Sequence, residues 1–152
     1  AYFSYSFATH LAKVKVDTLT GLVKVQKIWA AHDVGTAINP AGIEGQVEGG
    51  ISQGIGWAVT ENLKYDNGLV QNQNLSTYLL PTANDISDVE VIIIEESEPQ
   101  GPWGAKGIGE PAIIPTGAAI ANAVSNAIGQ QVNQLPISPE YVLDLLNHSK
   151  GK

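Results

Sequence analysis

Ile43-Glu44-Gly45-Gln46-Val47-Glu48-Gly49-Gly50-Ile51-Ser52-Gln53-Gly54-Ile55-Gly56-Trp57 is the stretch whose reading decides the fold class. Ile43, Val47, Ile51 and Ile55 recur every four residues, which predicts a helix. The five glycines at 45, 49, 50, 54 and 56 oppose it, at about 1 kcal/mol each relative to alanine in a helix interior. Such a helix makes sense if it is pressed against another backbone or against a bulky ligand, because glycine lets main chain approach closely. Both readings are open on these residues alone.

Strand patterns stand on the N-terminal side. Phe3, Tyr5 and Phe7 alternate with Ser4 and Ser6, a half-buried strand pattern. Val14 and Val16 match Val23 and Val25 across Asp17-Thr18-Leu19-Thr20-Gly21, which predicts a hairpin whose second strand runs through Ile28 and Trp29 to His32-Asp33. Asn39-Pro40 marks a turn ahead of the helix. On the C-terminal side, Ala58 to Tyr65 reads as a strand, and Asp66-Asn67-Gly68 as a tight turn into Leu69 to Gln73. The polar stretch Asn74 to Ser87 reads as irregular. Val89 to Ile94, a largely apolar run, predicts a strand covered on both faces. Ile113, Gly117, Ile120, Val124 and Ile128 predict a second helix, with Pro111 and Pro115 at or before its first turn and Gly129 as its left-handed cap. Ser138-Pro139-Glu140 opens a third, with Tyr141, Val142, Leu145 and Leu146 as its apolar stripe. The expectation is one α+β domain over residues 1–152, a mixed or antiparallel sheet with about three helices packed on it.

Composition narrows the function. The 152 residues are 43% hydrophobic and 15% charged, enough apolar material for a packed core. Eight basic residues, all lysines, face fifteen acidic ones, for a net charge of −7, so a basic nucleic-acid surface is excluded. No cysteine is present, which excludes disulfides, zinc thiolates and iron–sulfur ligation within these residues. No apolar run approaches the roughly 20 residues of a membrane span. With no methionine and a patterned start at Ala1-Tyr2-Phe3, the chain is expected to be a fragment or a processed product.

The chemistry concentrates in Gly101-Pro102-Trp103-Gly104-Ala105-Lys106-Gly107-Ile108-Gly109-Glu110-Pro111. Its four glycines let main-chain amides approach a ligand. Glu110, at the expected entrance of the second helix, is either a helix cap or a general base held ionised by the helix dipole. Lys106 either meets an anionic ligand or is solvated. Neither the phosphate-loop order nor a dinucleotide fingerprint is met: Ala112 stands where the fingerprint wants Gly or, less often, Ala, and a long Pro-containing loop, not a strand, leads into Gly107-Ile108-Gly109. His10, His32 and His148 lack paired-ligand spacing and read as ordinary histidines, so no metal site is expected from side chains. No serine lies in a Gly-x-Ser-x-Gly elbow. Glu44 and Glu48 share a helix face and read as solvated. Gln46, whose amide both donates and accepts, could hold a polar ligand near the helix start.

Together these motifs resemble the molybdenum hydroxylase family, the xanthine dehydrogenase and aldehyde oxidase relatives. Four stretches carry the resemblance: Asp33-Val34-Gly35 with Asn39-Pro40; Gly45-Gln46-Val47-Glu48-Gly49 with Gln53-Gly54-Ile55-Gly56; Gly104-Ala105-Lys106-Gly107-Ile108-Gly109-Glu110-Pro111; and Leu135-Pro136-Ile137-Ser138-Pro139 with Val142-Leu143. The third is the most specific. The resemblance implies the C-terminal part of a cytoplasmic, molybdopterin-binding large subunit, which fits the missing methionine. It implies that Glu110 is the catalytic base that deprotonates the attacking, water-derived oxygen. It implies that Gln46 hydrogen-bonds the pterin and that the main chain at Gly104, Ala105, Lys106 and Gly107 lies beside it. The cofactor brings its own sulfur ligands, so missing cysteines do not count against it. Iron–sulfur clusters and FAD are then expected on other domains or subunits, the substrate being a heterocycle (a purine, for example) or an aldehyde. The partners implied are the rest of the large subunit and the iron–sulfur and flavin subunits, with no nucleic acid or membrane. These residues alone are expected not to turn over substrate. The rival expectation is a non-catalytic scaffold or subunit-interface domain that keeps the fold.

Overall fold

A computed structural model describes residues 4–149. Strands β1 (Phe7–Val16) and β2 (Val23–Asp33) form the expected antiparallel hairpin, with Val14 opposite Val25 and Val16 opposite Val23. Gly21 at φ 76° closes the turn, and Asp17 caps it by accepting from the amides of Leu19 and Thr20. Between Lys13 and Val14 the register shifts by one residue, leaving Gln26 of β2 without an opposite number. Strand β1 begins only at Phe7. Phe3 lies outside the described residues, and Tyr5 and Phe7 are exposed, so the half-buried strand expected over residues 3–7 is not formed at its start.

Helix α1 (Pro40–Val59) is longer than its isoleucine repeat suggests. Asn39-Pro40, expected as a turn, is its N-terminus: the Asn39 side chain accepts from the Gly42 amide at 3.1 Å and Pro40 takes the first helical position. Of the strand expected over Ala58 to Tyr65, residues 58–64 are not strand. Ala58 is fully buried and completes the helix, since the apolar spacing Val47, Ile51, Ile55, Ala58 continues at helical period. Short strands β3 (Tyr65–Asp66) and β4 (Leu69–Val70) flank the expected tight turn, with Asn67 and Gly68 both at positive φ.

Strand β5 (Asp88–Ile94) runs parallel to β2, so the three-stranded sheet is mixed, in the order β1-β2-β5. Its apolar run is not covered on both sides, contrary to expectation. Val89, Val91 and Ile93 turn toward the core, while Ile92 and Ile94 on the other face are 43% and 47% exposed. Helix α2 (Thr116–Ile128) ends at Gly129 in the left-handed conformation, and α3 (Pro139–Ser149) opens with Ser138 Oγ accepting from the Tyr141 amide. Helices and one sheet face enclose Ile28, Val47, Ile51, Ile55, Ile120, Val124 and Val142, all essentially buried, each contributing about 1.5–3 kcal/mol of burial. Fold class and helix number match the sequence expectation.

Candidate active site

The segment between β5 and α2 is held against the end of β2 by its own backbone. Gly35 and Ala105 form an antiparallel bridge, Thr36 donates to the Gly104 carbonyl, and Lys106 donates to that of Val34. Gly35, at φ 67°, has no room for a side chain because a Cβ there would collide with the Gly104 carbonyl. These contacts explain why Asp33-Val34-Gly35 and the distant glycine loop belong to one motif. They are two sides of a single seam.

Side chains add further tethers. Lys106 Nζ meets Asp33 Oδ2 at 2.5 Å, the two side chains being 6% and 12% exposed. Burial works to raise the Asp33 carboxyl, but the Lys106 ammonium and the Gly35 amide outweigh it and hold it below the usual carboxylate range. Lys106 is therefore not a solvated loop lysine. Its charge is spent inside the protein and its amide on Val34, so it offers a ligand mainly its carbonyl. Gln46, on α1, donates from Nε2 to the Gly109 carbonyl at 3.1 Å, and Ser6 Oγ donates to the Gly107 carbonyl at 2.8 Å.

Two grooves lie on either side of this loop. One, of about 290 Å³, is walled by Val34, Thr36, Gly42, Gln46, Ala105 and Ile108. The other, of about 510 Å³, is walled by Ser6, Pro102, Gly107, Glu110 and Pro111, with Ala105, Lys106 and Gly109 reaching both. Gln46 and Glu110 thus face opposite sides of one strip of main chain. Glu110 does not stand at the helix entrance. Two successive turns, Ile113 N–H to Glu110 and Thr116 N–H to Ile113, separate it from α2, because Pro111 and Pro115 interrupt regular helix. Its carboxylate is exposed and, among the described residues, caps no helix and pairs with no cation. The capping alternative for Glu110 is thereby removed.

Among the described residues the amides of Gly107, Ile108, Gly109 and Glu110 have no acceptor. Gly107 and Gly109 also have open space where a Cβ would stand. Four successive unpartnered donors beside an amide side chain suit a polar heterocycle with carbonyl and ring-nitrogen acceptors. No group of three or more His, Asp or Glu able to hold a metal occurs among the described residues, so a metal here would have to come with its own ligands.

Sequence reasoning misses one pair. His10 Nε2 and His32 Nε2 lie 2.8 Å apart, and His10 Nδ1 lies 3.1 Å from Thr116 Oγ1 at the start of α2. His32 is fully buried. Burial lowers both imidazoles, and the neighbouring His32 depresses His10 further, to about 4. The sign that could reveal them is two histidines on facing strands of a hairpin, but their faces coincide only after the bulge at Gln26.

Residues 1–87 match the model of the molybdopterin cofactor-binding domain. The chain is 42% identical over 137 residues to a xanthine dehydrogenase molybdenum-binding subunit of Escherichia coli O157:H7, covering 89% of this chain and 18% of the relative. It is 38% identical over 143 residues to the nicotine 6-hydroxylase large subunit of Paenarthrobacter nicotinovorans, covering 91% and 18%. The crystal structure of quinoline 2-oxidoreductase from Pseudomonas putida 86 superposes with a TM-score of 0.86 at 36% identity, over 91% of this chain and 18% of that one. The chain therefore spans less than a fifth of the length of each of these relatives.

Proposed function

From the premise that this chain belongs to the molybdopterin cofactor-binding domain family of the xanthine dehydrogenase and aldehyde oxidoreductase large subunits, we propose that it forms the base-bearing wall of a molybdenum hydroxylase site. The observation that carries the reading is the run of amides from Gly107 to Glu110, free among the described residues, which ends in an exposed carboxylate unpaired among them and is tied to Gln46 through Gly109. When bound, the molybdenum cofactor supplies the two-electron redox centre for hydroxylation with water. This chain's residues do the rest. Gln46, with Nε2 engaged, presents Oε1 as an acceptor for the pterin's N–H edge. The backbone of Gly104, Ala105, Lys106 and Gly107 lies along the cofactor, and the glycine amides after it donate. Glu110, paired with no cation among the described residues, accepts the proton of the attacking, water-derived oxygen at its carboxylate.

The relatives are named for xanthine, nicotine and quinoline, and others of the family for aldehydes, which supports an electron-poor heterocycle or an aldehyde as substrate. The sheet face turned away from the helices leaves Phe7, Leu11, Ile92 and Ile94 uncovered. An apolar surface of that kind supports burial against the rest of the large subunit; membership of the family supports iron–sulfur and flavin subunits beyond it, and the complex is proposed to be cytoplasmic. Residues 1–152 alone then have no turnover, and hydroxylation of a purine or an aldehyde by this piece in isolation would refute the shared-site reading. The decisive test is Glu110→Gln in the full-length, molybdenum-loaded enzyme. Turnover should fall by about 10²–10⁴ or more, the range of a lost general base, with molybdenum content unchanged. Retained turnover would remove Glu110 from the chemistry and leave the domain a scaffold.

A further inference from the structure

We infer that His10 and His32 are positioning residues for Glu110: with Thr116 they form a proton-sensitive clamp on the loop that carries it. The inference rests on the proposed role of Glu110. Its geometry starts at the end of β2, where His32 and Asp33 are adjacent and so point to opposite faces of the sheet. Asp33 takes Lys106, four residues before Glu110. His32 reaches through His10 to Thr116, six residues after it. The loop is therefore gripped on both sides of Glu110, by Asp33 of β2 before it and by His10 of β1, backed by His32, after it. Thr116 is itself fully buried and wedged against α1, where a Cβ on Gly54 would stand 2.5 Å from Thr116 Cβ.

The two Nε2 atoms at 2.8 Å share one hydrogen, so one ring must accept and both cannot be imidazolium. His32 Nδ1 is buried without a partner. An unpaired lone pair is tolerated there more readily than an unpaired N–H. That sets the direction: His32 Nε2–H donates to His10 Nε2, and His10 Nδ1–H donates to Thr116 Oγ1. A proton arriving on His10 Nε2 removes the acceptor and breaks the His32–His10 bond; it sets an imidazolium against the buried His32 N–H, a repulsion His10 escapes by turning away from His32 and giving up Thr116. No side-chain charge opposes or assists this from the packed elements. Helix α2 contains no charged residue, α1 presents Ile51, Gly54 and Ile55 while Glu44 and Glu48 are exposed, and β5 sets Ile93 opposite His32. On β1 and β2 the nearest charges, Lys13 and Asp33, lie on the other face.

The sign follows from linkage. With the clamp closed, His10 binds a proton only near pH 4, against about 6.5 when open, so the closed loop binds protons less readily. The clamp has full strength above about pH 6.5 and weakens as pH falls from there toward 4. The test uses the full-length, molybdenum-loaded enzyme and reads hydrogen-exchange protection of amides 107–115, corrected for intrinsic exchange, at pH 7 and pH 5. In the unaltered enzyme, protection should drop at least fivefold at pH 5. Thr116→Val should give the low protection already at pH 7, with little further change at pH 5 and a kcat loss larger than any change in KM. Thr116→Ser should restore the normal pattern. Equal protection at pH 7 and 5 in the unaltered enzyme overturns the clamp, as does normal protection in Thr116→Val. If Thr116→Val does not fold, the unaltered pH series and Thr116→Ser still decide. Glu110→Gln leaves the exchange pattern intact, so failure of the base assignment shows in turnover alone.

Discussion

On the inner face of α1, Gly50 and Gly54 lie beneath the turn and first residue of α2. A Cβ would stand 2.6 Å from Ala112 Cβ at the first position and 2.5 Å from Thr116 Cβ at the second. On the outer face of the same helix, Gly45 and Gly49 meet nothing within 4 Å. One residue type thus serves two ends. Inside, it lets the segment that follows Glu110 descend onto the helix. Outside, it leaves bare backbone near the Gln46 groove, where only something beyond these residues can use it. The two explanations offered by the glycine-rich sequence, close backbone and bulky ligand, each fit one face.

Substitution should separate the faces. The largest effects belong inside. Gly50→Ala forces Ala112 backbone aside and should cost about 2 kcal/mol of stability in urea unfolding, the overpacking penalty exceeding the helix gain. Gly54→Ala should cost slightly less, about 1–2 kcal/mol, because it meets a side chain, and it should also lower the exchange protection of residues 107–115 by displacing Thr116. Outside, the sign reverses. Gly45→Ala or Gly49→Ala should raise the stability of this domain by about 1 kcal/mol, since alanine is the better helix former and nothing obstructs it. In the full-length holoenzyme the same changes should lower molybdenum occupancy if the face lies against cofactor or neighbouring chain. A destabilising Gly49→Ala in the isolated domain would break the comparison.

Most of the architecture is readable because it depends on local rules. The Val14/Val25 pairing, the Asp66-Asn67-Gly68 turn, Gly129 at the end of α2 and Ser138 at the start of α3 each follow from turn or cap chemistry. The errors lie where a pattern is ambiguous. Ala58 to Tyr65 reads as a strand because small and β-branched residues suit either element, and packing of Ala58 against the core makes its first two residues helix. Val89 to Ile94 carries apolar residues on both faces, yet burial of its outer face requires a partner that the sequence does not reveal. Glu110 reads as a helix entrance, but Pro111 and Pro115 replace the first turns of regular helix with two tighter ones.

The site divides the same way. Which residues are candidates is legible from residue type, since the glycines and carboxylate of residues 101–111 and the amide of Gln46 suit close backbone approach and proton transfer. What holds them is not. Lys106 looks free until Asp33 is brought to it across 73 residues. The histidines look unrelated until Gln26 is extruded from the ladder.

Chain chemistry alone therefore settles the hairpin, the three helices and the glycine loop, all consequences of interactions within a few residues. Three-dimensional packing was needed to establish that Asp33 neutralises Lys106, that α1 has one occupied and one vacant glycine face, and that His10 meets His32. The cause is register. Side chains alternate across a strand with period two, so the single residue bulged at Gln26 moves the buried positions of β2 from odd to even numbers, Val25 before it and Ile28, Ala30 and His32 after it. Without that shift His32 would face away from His10, and nothing in either strand taken alone records it.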